Sequence, residues 1–387
     1  MRRNVCHSQV LYEPKHQERC EYIADPRLAD PSKAASPQVI FSGIQPTGVP
    51  HIGNYLGALQ QWAKLQNEAS PKTTLLFSIV DLHAITVNQN PRQLRNACHQ
   101  MLAALLAVGL DSKRSIIFFQ SDVDAHEKLM WILSCRAQMG NLSRMTHKLN
   151  LSDNAPPVEA LLNTELELGL YSYPVLQAAD VLVHRATHVP VGHDQAQHLE
   201  FARKCARTFN HRYGTIFQLP ETILSPAKRV MSLTQPHLKM SKSHQDPRSR
   251  ILISDSTEEI AQKVKTALTD SVSGVSYDPV KRPGVSNLIE IMHHFRADGA
   301  SCKDIARDCE NLTMRAFKEQ VAKCIDEHLF EIRQRYEELM GKEKEGYLRE
   351  VAESGAVRAR ESAAETMHLV RDAVGLGGFQ SFAKKLD

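Results

Sequence analysis

Apolar positions along the chain fall into short saturated runs separated by longer amphipathic stretches. Gln38-Val-Ile-Phe-Ser42 opens the series as a short apolar strand. Thr74 to Val80 (TLLFSIV) is almost continuously apolar, as in a strand buried on both faces, and Ser115 to Gln120 (SIIFFQ) repeats the pattern. Between these runs the period lengthens. Asn54 to Gln66 is amphipathic, and Pro91 to Val108 has proline in its first turn and Gly109 at its end, the punctuation of a helix. Val189-Pro-Val191 reads as another strand end, followed by a helix from Asp194 to Asn210. Strands alternating with helices predict an α/β fold with a doubly wound parallel sheet, Rossmann-like in outline. After about Ser254 the pattern is helical with few strand signals. The expected organisation is a polar, poorly periodic segment over 1–37, an α/β domain over 38–254 and an α-helical domain over 255–387. No repeat of 20 to 50 residues interrupts it.

Composition adds bounds. A chain of 387 residues can bury a large core and fill two domains. Its formal charge of +3 is mildly basic, so a nucleic-acid partner would need a local basic face. The purest apolar run, Met101 to Leu110, falls far short of the ~20 residues that span a bilayer, which argues against a membrane partner. Eight cysteines without a CxxC pair read as reduced thiols in a reducing compartment. Eighteen histidines without HExxH or HxH spacing predict no protein-ligated metal. Pro14, Pro26, Pro31 and Pro37 mark the first segment as a disordered extension or leader. Arg2, Arg3, Lys15 and Arg19 suit import into the mitochondrial matrix; Glu13, Glu18, Glu21, Asp25 and Asp30 suit a chain that stays in the cytoplasm.

Five segments are weighed for candidate chemistry. Gly43-Ile-Gln-Pro-Thr-Gly48 is a turn-rich loop, but Val49-Pro50 stand where a P-loop has Lys-Ser/Thr. Gly375 to Gly378 lies in a helical tail and reads as a helix terminator. In open α/β sheets ligands bind at the carboxyl ends of strands, which gathers Phe41, Gly43, Gln45, Thr47, Gly53 and Asn54 around one crevice. His51-Ile-Gly-Asn54 supplies a close backbone approach, ring and amide donors and a helix N-terminus. Lys239-Met-Ser-Lys-Ser243 supplies mobile cations and hydroxyl donors. Both suit a polyphosphate, although each alone also reads as a tight βα turn or a solvated surface loop. Asp180 sits among apolar neighbours on an expected helix, where an unpaired carboxylate is costly. Its partner is either Arg185 or a backbone N–H, or else a ligand: a carboxylate is acceptor-only and suits an indole N–H.

Six ordered blocks sharpen this reading: FSGIQPTG (41–48), HIGNY (51–55), IVDLHAIT (79–86), YPVLQAAD (173–180), VPVGHDQ (189–195) and KMSKS (239–243). Together they resemble the tryptophanyl-tRNA synthetases, class I aminoacyl-tRNA synthetases, in their bacterial and mitochondrial form. The resemblance runs from about Val39 into the C-terminal region, and Gln177 together with the leader leans toward the mitochondrial enzymes of animals. It implies that 38–254 is the catalytic domain and 255–387 the anticodon-binding domain. It implies that Asp180 selects tryptophan through the indole nitrogen, with Phe41, His83, Tyr173, Val189, Val191 and Gln195 around the amino acid. For ATP it implies Gln45, Pro46, Thr47, His51, Gly53 and Asn54, then Gly192, His193 and Asp194 near ribose and adenine. Val230 would touch adenine, and Lys239, Met240, Ser241, Lys242 and Ser243 would close on the pyrophosphate. Asn54, Lys239, Ser241 and Lys242 are the implied catalytic group. ATP is then a substrate carrying its own Mg²⁺, the partners are L-tryptophan, tRNA(Trp) and a second copy of the chain, and no editing domain is required. A tyrosine-specific relative would need both a donor and an acceptor for a phenol hydroxyl; the AAD and GIQPTG blocks favour tryptophan. Two departures stand out. His193 occupies a position where the family has Glu, and the 144–151 segment carries only Lys148 where the family has two lysines. Pro156-Pro157, Glu159, Glu165 and Glu167 follow it, so this segment is expected to meet ATP in an altered way or to leave a weakened, regulatory homologue.

Overall fold

The structure is a computed structural model that describes residues 38–150, 167–192, 195–224, 229–242, 244–296 and 298–378, with 146–150 described in backbone only. His193, Asp194, Ser243, Lys148, the 1–37 leader and the Pro156-Pro157 stretch thus lie outside the described residues or side chains. All described residues belong to one unit spanning 37–387.

Five parallel strands form the sheet: β1 Val39–Ile44, β2 Thr74–Ile79, β3 Ile116–Phe119, β4 His188–Val191 and β5 Glu221–Leu224, in the order β3-β2-β1-β4-β5. β1 lies against β2 in register from Val39↔Thr74 to Ile44↔Ile79 and against β4 at Ile40↔His188. Successive side chains of a strand point to opposite faces, and the core divides accordingly. Ile40 and Phe77 join a layer with Ile52, Trp62 and Leu105, which continues into Ile260, Leu288 and Phe317 of the helical region. Phe41, Leu76 and Phe118 join a second layer with Leu129, Val181, Leu199 and Ala359.

Local chemistry explains the helix limits. Asn90 caps Pro91–Ala107 by accepting from the amides of Arg92 and Gln93, and Gly109 takes a positive φ just beyond its end. Ser256 with Glu259, and Ser301 with Asp304, form capping boxes that start Thr257–Lys265 and Cys302–Asp308. The helix expected from Asn54 begins earlier, at Ile52, and its second turn, Tyr55–Leu59, is π-helical before Gln60–Glu68 resumes α geometry. The 144–151 segment is helical as far as Asn150, within Met139–Asn150.

The last helix, Glu345–Ala373, lies on β3. Gly355 is essential to that approach, because a Cβ there would collide with the carbonyl oxygen of Ile117. Arg358 donates to the carbonyls of Ser112 and Ser115, and Arg360 to that of Asp122, tying the helix to both ends of the strand.

Candidate active site

The sheet order reverses between β1 and β4, and the crevice at their carboxyl ends is where α/β sheets take ligands. A cleft of about 1320 Å³ opens there. Phe41, Val189 and Val191 from the strands, Tyr173 and Asp180 from the Leu168–Val183 helix, and His83 and Gln195 form one end. Gln45, Pro46 and Thr47 form the turn beside it, with Lys242 across. With Gly43, the same space therefore collects twelve of the residues that the sequence pointed to.

Asp180 lies at its base, 2% exposed. Its Oδ1 accepts from Gln120 Nε2 at 2.7 Å and His126 Nδ1 at 2.8 Å, and its Oδ2 accepts from His83 Nε2 at 2.8 Å. Arg185 is not its partner; the guanidinium turns outward to Glu365 at 3.2 Å. Burial pushes the carboxyl up, but the hydrogen bonds and charge of His126 and His83 outweigh it and hold Asp180 well below the usual carboxylate range. An ionised carboxylate offers about four acceptor positions. Three are filled from the protein, leaving one on Oδ2, the oxygen shared with His83. Around it, Tyr173 meets His83 edge-on at 6.1 Å and its hydroxyl lies 2.9 Å from His198 Nε2; burial pushes that phenol up to about 12. Gln177 Nε2 donates to Gln195 Oε1 at 3.1 Å.

The first signature segment is joined at the backbone to the stretch that follows the second. Ile52 N donates to Ile251 O and Ile253 N to Pro50 O, so HIGN is stitched to the strand-like segment that follows KMSKS. Within HIGN, His51 Nδ1 accepts from the amides of Gly53 (3.0 Å) and Asn54 (3.3 Å), while Asn54 Oδ1 accepts from His51 N. A Cβ on Gly53 would lie 2.8 Å from His51 Cε1, so this cap requires glycine. Burial, then Lys242, Lys239 and Arg250, lower the His51 imidazole to about 3. The ring is neutral, and because Nδ1 accepts, its proton is on Nε2.

KMSKS starts from a bridge between Met231 and Lys239, with Met240 N donating to Val230 O. Asn287 pins the opposite side, accepting from Met231 N and donating to Met231 O. Met240 is 2% exposed and anchors the loop in the core. Lys242 Nζ donates to the carbonyls of Thr47 (3.1 Å) and Gly48 (2.7 Å), directly onto the glycine-rich turn. Burial and then Arg250 lower this ammonium to about 7.

Some expected residues do not line the cleft. His51, Gly53 and Asn54 act beside it as the helix cap, Val230 and Met240 support the loop from below, Gly192 follows β4, and Lys239 and Ser241 sit on the loop itself. The sequence reading missed Gln120, His126 and His198. Gln120 closes an apolar strand as a fully buried polar residue. His126 shares a helix face with the buried Leu129 and Leu133, at three- and seven-residue spacing, and a histidine on an apolar face was the available signal.

A family model described as tRNA synthetases class I (W and Y) matches residues 33–330. The chain is 44% identical over 347 residues to the mitochondrial tryptophan–tRNA ligase of Schizosaccharomyces pombe, covering 87% of this chain and 95% of the relative. It is 41% identical over 338 residues to the tryptophan–tRNA ligase of Wolinella succinogenes, covering 87% and 98%. The fold is similar to the crystal structure of the Campylobacter jejuni tryptophanyl-tRNA synthetase complexed with ADP and tryptophan, with a TM-score of 0.71 and 31% identity over 88% of this chain and all of the other.

Proposed function

The chain belongs to the class I tRNA synthetases for tryptophan and tyrosine, and from that premise we propose how its cleft divides the work. The protein is an ATP-dependent ligase. It activates L-tryptophan with ATP to tryptophanyl-adenylate, releases pyrophosphate, and passes the tryptophanyl group to tRNA(Trp).

The observation that carries the substrate assignment is Asp180, a buried ionised carboxylate with one acceptor position left. An indole N–H fills that position; a phenol hydroxyl would leave its own acceptor side without a donor. Phe41, Val189 and Val191 receive the ring system, and Tyr173, His83 and Gln195 frame the amino acid. Such a site rejects smaller side chains by lost area and by an unpaired buried anion, so no editing step is needed.

Neither chemical step requires a protein nucleophile. The tryptophan carboxylate attacks the α-phosphorus of ATP, pyrophosphate departs, and a hydroxyl of the terminal tRNA adenosine then attacks the mixed anhydride. Catalysis of this kind rests on positioning and on charge stabilisation at the phosphate oxygens. Gln45, Pro46, Thr47 and Gly53 give the backbone approach to ATP, with Gly192, His193, Asp194 and Val230 toward ribose and adenine. Neutral His51 offers Nε2–H, and Asn54 fixes its cap. Lys242 moves from the Thr47 and Gly48 carbonyls onto the leaving pyrophosphate, joined by Lys239, Ser241 and Ser243. The described residues hold no group of three or more His, Cys, Asp or Glu able to bind a metal. Mg²⁺ travels on the triphosphate.

The region 255–387, mainly helical over its described residues, would read the anticodon. A second copy docks on the apolar face formed by the helices Ala125–Ser134, Met139–Asn150 and Leu168–Val183. On these helices Trp131, Met139 and Leu168 are 72%, 66% and 76% exposed, large apolar side chains suited to burial against a partner. The mitochondrial matrix is the assigned compartment, supported by the S. pombe relative and by the basic residues of the leader. The deciding experiment is exchange of labelled pyrophosphate into ATP, with tryptophan and tyrosine in parallel. Exchange with tryptophan alone is expected; exchange with tyrosine, or with neither, refutes the assignment.

A further inference from the structure

Behind Asp180 lies a buried polar chain that none of the roles above uses. His126 is 0% exposed and gives Nδ1 to Asp180 Oδ1. Facing a carboxylate, that nitrogen donates. Beside it His184, 3% exposed, stands edge-on at 5.3 Å between ring centres. His184 stacks on Phe41 of the cleft wall at 5.7 Å, and its Nδ1 lies 3.1 Å from Ser362 Oγ of the last helix. Phe118 packs on both imidazoles, at 6.0 Å and 5.6 Å. Burial and then the neighbouring His126 hold His184 far below the ordinary histidine range, so it stays neutral. Among the described residues, His126 Nε2, His184 Nε2 and Gln120 Oε1 find no hydrogen-bond partner. Buried polar atoms without partners are costly, so a purely structural core would favour leucine or phenylalanine at these positions.

We propose that His126 is a specificity-determining positioning residue: with Gln120 it occupies both acceptor positions of Asp180 Oδ1, and so fixes the one open position of Oδ2 toward the substrate. The proposal rests on the reading of Asp180 as the acceptor of the indole N–H. The division between the two oxygens gives it force. Oδ1 is turned inward, filled by two donors from β3's end and the Ala125–Ser134 helix. Oδ2 is filled once, by His83, which itself lines the cleft where Gln120 and His126 do not. His126 is wholly buried, with the rings of His184 and Phe118 packed beside it, which restricts its rotation. Without His126, Oδ1 keeps Gln120 alone, burial favours protonation of the carboxyl, and the group is free to turn. A protonated Asp180 would present a hydroxyl donor to the indole N–H. Supporting groups behind a binding side chain set geometry in this way, and sub-ångström looseness is enough to lose it.

The test compares two substrates on the same protein by pyrophosphate exchange: L-tryptophan and its isostere with sulfur in place of the indole N–H. Wild type should prefer tryptophan by roughly 10- to 100-fold in kcat/KM, the range for a hydrogen bond to a buried charge. His126→Leu should bring the ratio to near one, mainly through the KM for tryptophan. His126→Asn, whose amide keeps a donor near the place of Nδ1, should retain most of the preference. A merely structural role lowers both substrates alike and leaves the ratio unchanged, and unfolded protein cancels in the ratio. A wild-type ratio preserved in His126→Leu overturns the proposal. A wild-type enzyme that uses both substrates equally overturns the reading of Asp180 itself, and the proposal with it.

Discussion

Lys242 gives a prediction whose size follows from its surroundings. Its ammonium is lowered to about 7 by burial and by Arg250, while it donates to the Thr47 and Gly48 carbonyls. A triphosphate brought beside it favours the charged form, so ATP binding should draw a proton onto Lys242 at any pH above about 7. A group of this pKa is about nine-tenths unprotonated at pH 8, and binding there should take up about 0.9 proton. The sign is fixed: the free protein has lost the proton that the complex needs, so affinity for ATP falls as pH rises. If bound Lys242 regains a pKa near its ordinary value, the loss between pH 7 and 9 is roughly 50-fold. The contrast is Lys242→Arg, whose guanidinium stays charged throughout this range. Calorimetric titration with ATP at pH 8, in two buffers of different ionisation enthalpy, reads the proton directly, and the nucleotide's own ionisation is common to both proteins. Wild type should exceed the arginine variant by about 0.9 proton. Equal uptake by the two proteins would refute the reasoning.

Other perturbations separate the remaining roles. Asp180→Asn turns one acceptor oxygen into a donor facing either His83 or the Gln120–His126 pair, and should lower kcat/KM for tryptophan in the exchange assay by at least about tenfold; a change within about twofold would contradict the acceptor role. Gly355→Val drives a side chain into the Ile117 carbonyl, and should cost about 1–3 kcal/mol by urea unfolding; an unchanged midpoint would mean the last helix shifts freely. Trp131→Glu places a charge at an exposed apolar position; on the proposed docking, wild type should sediment as a dimer and the variant as a monomer, and a variant that stays dimeric would move the interface elsewhere.

The readable part of the fold was the part governed by local pattern. TLLFSIV marked β2 because a strand covered on both faces has no polar side, and Pro91 marked its helix because proline suits a first turn. β5 escaped notice for the opposite reason: Glu221–Leu224 is a short edge strand with exposed ends, and its polar and apolar residues follow no buried pattern. The π-helical turn at Tyr55–Leu59 leaves no mark on side-chain spacing over so few residues. Within the site, the HIGN and KMSKS blocks were legible as motifs. The way they touch was not, since Lys242 meets Thr47 and Gly48 through main-chain carbonyls that every residue possesses. The partners of Asp180 were hidden because Gln120 and His126 sit 60 and 54 residues from it and are brought close only by the sheet. Nearby Arg185 was the plausible ion-pair partner by sequence and is engaged elsewhere, with Glu365.

The helix that closes the chain has a consequence for how the molecule is made. During synthesis β3 is complete well before Glu345–Ala373 exists, and until that helix arrives one margin of the sheet offers unpaired backbone groups to any passing strand. Pairing elements so distant in sequence delays completion of the fold. A transcript ending before Gly355 would therefore yield more than a protein lacking its tail: it would yield a half-clad sheet, prone to join its neighbours before any chaperone could hand it on.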